Sequence, residues 1–399
     1  MCALLAIKPL RNQHGLQSLA QIFRTWWPVF AALIIIQVGN GLTSSLVSVS
    51  GEAAGLSPGL KGLILSAFYL GSVAGALAAP RLIGRASHVV SFLTFTAILA
   101  ISTAGLALSG DPILWIALRL IAGASLTGMF ATVESWLNLG TSDAWRARVF
   151  SIYIFMQLGG LAAGQLALNA RSFGNETLFL CAAALTLLAM ALMRFERARS
   201  PQLDVTHHVA IWTLARRAPI GVLCVALAGF SWAGLMASGP ALVEMMGFDD
   251  FSKSMILALT VTSGMLAQIP VGWMADHFDR RKVLAAMTAV AGASAIVAAL
   301  VTGVESVFLF FIVFGAATFP LYAVGVACAH DDLVQSERTS ASAAMIIFFE
   351  LGAIIAPLML AFATAFAGPK AYFIVQAFPQ LLFMLAVVLA LRRPQVSSL

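Results

Sequence analysis

Long apolar segments alternate with short polar connections along the whole chain. A helix rises about 1.5 Å per residue, so about 20 apolar residues cross a hydrocarbon core of about 30 Å. The pattern therefore predicts an all-α integral membrane protein with twelve transmembrane helices. The predicted segments are Pro28–Ser50, Leu60–Ala79, Val89–Leu108, Pro112–Trp136, Val149–Ala170, Thr177–Phe195, Pro219–Leu242, Ser254–Ala275, Val283–Thr302, Val304–Ala327, Thr339–Phe366 and Ala371–Leu391.

The two halves of the chain repeat each other. Matching residues recur at an offset of 192 positions, and they are Gly123 with Gly315, Arg146 with Arg338, Gly160 with Gly352 and Gln165 with Pro357. Such an offset predicts two six-helix pseudo-repeats with a substrate site at their interface. The predicted units are an N-terminal segment 1–27, a first bundle 28–195, a linker 196–218, a second bundle 219–392 and a tail 393–399. A short amphipathic helix is expected in the linker, over Val209–Arg217.

Composition supports a membrane protein. Hydrophobic residues make up 60% of the chain and charged residues 10%, whereas a soluble domain has about 25% charged residues. The four cysteines are scattered without paired spacing, so neither a disulfide framework nor a metal site is expected. The adjacent His207 and His208 are likewise interpreted as solvated linker residues, and no metal site is predicted.

The positions of Lys and Arg predict the orientation. If the N-terminus is cytoplasmic, 18 of the 23 basic residues fall in inside connections and four in outside connections, with Arg119 in a span. The positive-inside rule then places both termini in the cytoplasm of a multi-pass protein of the plasma membrane, the inner membrane in a bacterium. The net charge of +6 therefore needs no nucleic-acid partner, and the expected partners are the lipid bilayer and a small-molecule solute. Met1–Leu10 is too short for a cleaved signal peptide.

Arg119 and Glu134 are the two charges of the fourth predicted segment. An ionisable group in hydrocarbon costs about 2.5–3.5 kcal/mol on insertion scales, so such groups face a cavity or another helix. Fifteen residues of helix separate them by roughly 22 Å, which excludes a direct ion pair. Both are candidates for substrate or proton handling. The alternatives are a structural hydrogen-bonding role for Arg119 and, for Glu134, an ion pair with Arg146 or Arg148.

Glu350 lies near the centre of the eleventh segment and is the better candidate for proton coupling. A desolvated carboxyl there is expected to exchange a proton near neutral pH, although a permanently protonated, hydrogen-bonded Glu is the alternative. Other polar side chains on the spans are predicted to line a cavity or to join helices. They are Gln37, Asn40, Ser44 and Ser48 on the first segment, Tyr153 and Gln157 on the fifth, Thr318 and Tyr322 on the tenth, and Trp232 and Gln268.

Several motifs resemble those of the major facilitator superfamily. Residues 272–282 resemble its loop signature of a Gly, an Asp and a basic run, and residues 119–123 resemble its fourth-helix motif. Residues 160–165 stand where many exchangers carry a Gly-Pro motif, although Gln165 replaces the proline. Residues 133–138, with Gly140-Thr-Ser, Arg146, Arg148 and Gly164-Gln165, are similar to the YcaD-like branch of bacterial facilitators.

This resemblance implies a conformational lock. In the superfamily the loop carboxylate caps a helix of the opposite half. Here only the second half supplies it, through Asp276, since the first-half loop has no Asp before its basic residues. The expected counterpart is the N-terminus of the fifth segment, where a helix dipole favours an anion. The predicted lock residues are Gly272, Asp276, Arg280, Arg281, Arg146 and Arg148.

The sequence thus predicts a secondary active transporter of a small organic solute that works by alternating access. Proton coupling is an open hypothesis, no cofactor is expected, and a monomer is expected. The cavity implied by amides, hydroxyls, aromatic rings and few charges suits an amphipathic solute. The alternative is a membrane sensor or assembly factor that keeps the fold and transports nothing. An enzyme is not expected, because no nucleophile with a base, metal cluster or phosphate loop is present in any connection.

Overall fold

The computed structural model describes residues 13–141, 143–195, 211–301, 303–333 and 338–392. Its helices are α1 (Gln13–Ala53), α2 (Pro58–Arg85), α3 (His88–Leu108), α4 (Pro112–Gly140), α5 (Asp143–Leu166), α6 (Asn175–Leu192), α7 (Ile211–Arg217), α8 (Pro219–Ala233), α9 (Gly239–Met245), α10 (Asp250–His277), α11 (Arg280–Leu300), α12 (Val304–Thr318), α13 (Leu321–Asp331), α14 (Arg338–Ala367) and α15 (Lys370–Arg392). Short 3-10 turns, Ala167–Phe173 and Met193–Phe195, follow α5 and α6.

Twelve crossings are long and apolar enough to span a membrane within this part of the chain, as predicted. Two of them are interrupted. A π-helical segment, Gly234–Ser238, joins α8 to α9 in the seventh crossing. The tenth crossing, predicted as one helix over Val304–Ala327, breaks between α12 and α13 at Phe319 and Pro320, because proline lacks the backbone donor that a helix interior requires.

The start of the first helix differs from expectation, whereas the linker helix ends where it was expected to end. Helix α1 begins at Gln13 rather than at Pro28 and continues through that proline, so part of the predicted N-terminal segment is helical. The linker helix α7 spans Ile211–Arg217, close to the predicted Val209–Arg217.

Local sequence explains where several helices begin. The Ser57 hydroxyl accepts from the backbone N–H of Leu60 at 3.4 Å, and Pro58 follows as the first residue of α2. The Asp111 carboxylate accepts from the Ile113 N–H at 3.0 Å, and proline again opens the helix, α4. A side-chain acceptor followed by proline is the usual N-terminal signal, because both suit amides that lack helical partners.

The halves are built by equivalent contacts. A Cβ on Gly123 would lie 1.8 Å from the carbonyl oxygen of Phe68, and one on Gly315 would lie 2.8 Å from that of Thr260. Phe68 and Thr260 are themselves 192 positions apart. Equivalent glycines therefore let equivalent helix pairs, α4 on α2 and α12 on α10, pack backbone to backbone. The repeat found in the sequence is thus a repeat in packing.

The two halves meet along three helix contacts. Helix α2 packs against α14, α5 against α10, and α1 against α9 and the π segment. Gln37, Tyr153, Gln268 and Glu350 lie on these helices, on α1, α5, α10 and α14 respectively.

Candidate functional site

Glu350 lies on α14 at the contact between the halves. Its side chain is 7% exposed, and its Oε2 is buried without a hydrogen-bond partner. One turn further along α14, the carbonyl oxygen of Ile354 accepts from the Ser66 hydroxyl of α2 at 2.6 Å. Tyr69 on α2 and Tyr322 on α13 both lie within electrostatic range of Glu350. A carboxyl of the second half thus faces polar groups of the first.

Glu134 accepts a hydrogen bond from a neutral side chain, and its predicted ion pair with Arg146 stays a prediction. The Tyr153 hydroxyl donates to Glu134 Oε1 at 2.9 Å, and Gln157 interacts with the same hydroxyl. Arg148 instead stacks its guanidinium 4.6 Å from the centroid of the Trp145 ring. The side chain of Arg146 lies outside the described residues. Helices α4 and α5 therefore hold Glu134 through a neutral donor, and Tyr322 of the other half lies within its electrostatic range.

Arg119 is buried inside the first half. It is 2% exposed, and its guanidinium carbon lies 4.3 Å from the centroid of the Phe68 ring. Its Nε has no partner, and none of the ion pairs formed among the described residues includes it. A cavity of about 10 Å³ lined by Asn40 and Thr43 adjoins it, which is at the lower limit for one water molecule. Tyr69 links it electrostatically to the Glu350 region.

The polar stripe of α1 divides into two parts. Gln37 accepts from the Asn40 amide at 3.0 Å within the first half. Ser44 donates to the Met236 carbonyl oxygen at 3.3 Å, and the Ser48 hydroxyl accepts from the Ala241 N–H at 3.0 Å. Ser44 and Ser48 thus join the halves, whereas Gln37 and Asn40 bond to each other.

The remaining candidates lie around the same region. The rings of Trp232 and Phe319 are 4.8 Å apart, and those of Tyr322 and Phe349 are 5.5 Å apart at a near-perpendicular angle. Gln268 is half-buried on α10. Thr318 donates to the Phe314 carbonyl in its own helix, so its hydroxyl is satisfied locally. Tyr153 bonds Glu134, Tyr322 lies within electrostatic range of both Glu134 and Glu350, and Arg119 is buried inside the first half.

Sequence reasoning missed several buried polar contacts. The Ser45 hydroxyl donates to Gln165 Oε1 between α1 and α5. Gln380 donates to Ser231 at 2.6 Å between α15 and α8, and Gln376 beside it is fully buried. The signal in the sequence for these contacts is a side-chain amide in an otherwise apolar helix. Gln165 is such an amide, in addition to standing where the exchanger motif has a proline.

The predicted lock residues lie at the end of the bundle where α2, α10 and α13 finish, called here the basic end. Asp276 is exposed, and a Cβ on Gly272 would meet open space. Arg280 pairs with Asp331, and Arg281 Nη2 lies 3.4 Å from Asp332 Oδ1. Both arginines therefore bind carboxylates of their own half. The contact expected between Asp276 and the start of α5 stays a prediction.

The side-chain hydrogen bonds between the halves that follow lie toward the end of the bundle opposite the basic end. The described side chains that cross are Ser44, Ser48 and Ser66, with Arg171 at the far rim. The halves are thus held together from Glu350 to the end opposite the basic one. Within the described ranges no group of three His, Cys, Asp or Glu residues could hold a metal, and His207 and His208 lie outside them.

Comparisons with known proteins agree with this architecture. The profile of the Major Facilitator Superfamily matches residues 29–264 and 221–398. An uncharacterized MFS-type transporter of Yersinia enterocolitica is 25% identical over 83% of this chain and 86% of its own. The uncharacterized MFS-type transporter YcaD of Escherichia coli O9:H4 (strain HS) is 25% identical over 82% of this chain and 86% of its own.

Solved structures share the fold. The nucleoside transporter NupG superimposes with a TM-score of 0.76 at 12% identity, covering 92% of this chain and 98% of that one. A bacterial homolog of the human lysosomal transporter Spinster, in an inward-facing and unoccupied conformation, gives 0.70 at 15% identity, covering 90% and 93%.

Proposed function

The chain belongs to the major facilitator superfamily, and from that premise we propose that it carries a small organic solute across the membrane by alternating access of its two halves. The observation that carries the proposal is the position of Glu350, a buried carboxyl with an unpaired oxygen at the contact between the halves. Intramembrane carboxyls of this kind mark substrate and proton pathways.

The groups around Glu350 suggest the chemistry of the solute. Tyr69, Tyr153 and Tyr322 offer hydroxyls and ring faces, and Glu134 offers a second carboxylate. The partly exposed Asn40 and Gln268 are proposed to add amides elsewhere along the pathway. Such a lining suits an amphipathic organic molecule better than a bare inorganic ion, because orientation comes from a few polar groups on an aromatic wall.

We assign the basic end to the cytoplasm, with both termini inside, from the positive-inside rule. The side-chain bonds described above between the halves then lie on the outer side, and this supports a state in which the outer side is closed. The expected location is the plasma membrane, and the working unit is proposed to be a monomer that needs no cofactor.

Proton coupling is proposed through Glu350 and Glu134. A thermal-shift screen of metabolites and antibiotics on the purified protein identifies a solute, and proteoliposomes loaded with a pH-sensitive dye then measure proton movement driven by that solute. We expect Glu350→Gln or Glu134→Gln to abolish the proton signal. Unchanged proton movement in both variants would rule out coupling through these carboxyls.

A sensor or assembly factor that keeps the fold remains the competing function. The same proteoliposomes separate the two, because a sensor would bind the solute that stabilises it without accumulating it. Binding with no transport in either direction, at several pH gradients, would favour the competing function.

A further inference from the structure

An ion pair is repeated in the two halves. Glu52 Oε2 lies 2.7 Å from Lys61 Nζ, and Glu244 Oε2 lies 2.5 Å from Lys253 Nζ. Both pairs are separated by nine residues, and each residue of the second pair lies 192 positions after its partner in the first. Each pair joins the end of the first crossing of its half to the start of the second. They are equivalent contacts of the duplicated bundle.

Only the second pair is engaged by a cation of the opposite half. Arg171, in the turn between α5 and α6, donates from Nη1 to both carboxylate oxygens of Glu244 at 3.1 Å. The same nitrogen lies 3.7 Å from Asp250, which is itself 2.7 Å from Lys253. Four charged groups therefore form one cluster, with Arg171 from the first half and the others from the second.

Arg171 is held in place from its own half. Its Nε donates to Asn175 Oδ1 at 3.3 Å, and the Asn175 amide donates to the Ser50 hydroxyl at 3.0 Å. On the other side, Asp249 caps α10 by accepting from the Ser252 N–H at 3.1 Å. Hydrogen bonds from Ser252 hold the pKa of Asp249 below its usual range. Arg171 and the start of α10 are thus each held in place by hydrogen bonds within their own half.

The first pair lacks a counterpart to Arg171. The equivalent position is Ala363, and the neighbouring residues Ala361 and Thr364 of α14 line a cavity of about 30 Å³ together with Glu52 and Lys61. The position equivalent to Asp250 is Pro58. One pair therefore meets a guanidinium across the interface, and the other lines a cavity whose remaining side chains are neutral.

The charged cluster around the second pair is largely buried, which strengthens its contacts. The side chains of Arg171 and Glu244 are 17% and 19% exposed, and that of Lys253 is 5% exposed. Salt screens such groups less than fully exposed ones, and a charge-assisted guanidinium contact is stronger than a neutral hydrogen bond. When the halves separate at this end, Arg171 must leave Glu244, whereas Glu52 and Lys61 move together.

We propose that Arg171 and Glu244 form a latch that holds this end of the transporter closed. Of the two duplicated Glu–Lys pairs, the latch uses the Glu244–Lys253 pair. The inference rests on the alternating-access function proposed above. Arg171 acts as a positioning residue that sets the balance between the two conformations. The unlatched Glu52–Lys61 pair is the internal control provided by the repeat.

The test measures the distance between spin labels at position 110, in the connection between α3 and α4, and at position 305, in the first turn of α12. The two positions belong to opposite halves and lie at the latch end. The labels are attached in the full chain after Cys2 and Cys181 are replaced by serine. We expect Arg171→Gln and Glu244→Gln each to raise the ratio of separated to closed molecules about tenfold, as expected for losing a partly buried charge pair. The double variant should shift it little further, because both changes remove one contact.

Glu52→Gln is the matched control and should leave the ratio unchanged. Ala363→Arg tests the converse, since it places a guanidinium beside the first pair, and it should lower the ratio. If Arg171→Gln does not fold, Arg171→Lys, which keeps the charge and loses the double contact, should give a smaller shift. Equal shifts from Glu52→Gln and Glu244→Gln would overturn the latch, as would no shift from Glu244→Gln.

The outcome also separates the latch from the proposed function. A separated population that responds to solute but not to Glu244→Gln would refute the latch and leave alternating access intact. A single distance in every variant, with and without solute, would refute both.

Discussion

The Ser44 hydroxyl donates to the Met236 carbonyl oxygen at 3.3 Å, and these residues are 192 positions apart, at equivalent places in the two halves. A residue that touches its own equivalent lies on the axis that relates the halves. Helix α1 and the π segment therefore cross at that axis. A π segment leaves carbonyls outside the regular helical ladder, and Ser44 on one side and Tyr372, which donates to Gly234 O at 2.7 Å, on the other satisfy two of them.

The first prediction uses this crossing. Ser48→Cys combined with Ala241→Cys should form a disulfide, because the Ser48 hydroxyl lies 3.0 Å from the Ala241 backbone nitrogen. With a protease site placed in the linker 196–210, oxidised protein should stay at full length on a gel after cleavage, and reduced protein should separate into halves. Separation of oxidised 48/241 protein into halves would contradict the described crossing.

The second prediction concerns the glycines of the repeat. Gly352→Ala places a Cβ 1.8 Å from the Ala226 carbonyl oxygen, so α14 and α8 must move apart. Overpacking of this kind costs about 1–3 kcal/mol or more. Gly159→Ala is the control on α5, where the added Cβ meets open space and helix propensity favours alanine by about 1 kcal/mol. Thermal unfolding in detergent should show a lower midpoint for Gly352→Ala and an equal or higher one for Gly159→Ala. A tolerated Gly352→Ala would argue against the close approach.

The repeat explains how much the sequence could predict. Twelve crossings follow from apolar length, and the offset of Gly123 and Gly315 already located equivalent helix contacts. The same offset also relates Glu52 to Glu244 and Lys61 to Lys253. The sequence shows which residues are equivalent. It cannot show that Arg171, which is far along the chain from both glutamates, contacts Glu244 and not Glu52.

The breaks in the seventh and tenth crossings had a weaker signal. Pro320 indicates the break between α12 and α13, because it removes a helical donor. The π segment has no comparable signal in the sequence. It begins at Gly234, and glycine is common in membrane helices that have no such segment. The partner of Glu134 was also beyond sequence reasoning, because Tyr153 and the basic Arg148 lie on the same helix and only side-chain direction separates them.

The third prediction tests the hydrogen bond to Glu134. Tyr153→Phe removes the hydroxyl that donates to Glu134 at 2.9 Å and leaves a carboxyl without its partner, at a cost of about 1–3 kcal/mol. Glu134→Gln in the same background should recover part of that loss, because a neutral amide is easier to bury. Thermal midpoints of the two single variants and the double variant form the cycle. Strictly additive changes would show that the two side chains do not interact.

The last prediction separates a structural from a functional role of Arg119. Its guanidinium is buried over Phe68 and makes no ion pair with the described carboxylates. A buried charge without a counter-charge is costly, so replacing it with an apolar residue of similar volume is often neutral or stabilising, by about 1–4 kcal/mol. We therefore expect Arg119→Met to fold with an unchanged or raised thermal midpoint and to lose transport of the solute identified in the screen. Arg119→Lys keeps the charge but loses the planar contact with the ring, and it should retain partial transport. A lowered midpoint together with full transport in Arg119→Met would instead assign Arg119 to the structure of the first half alone.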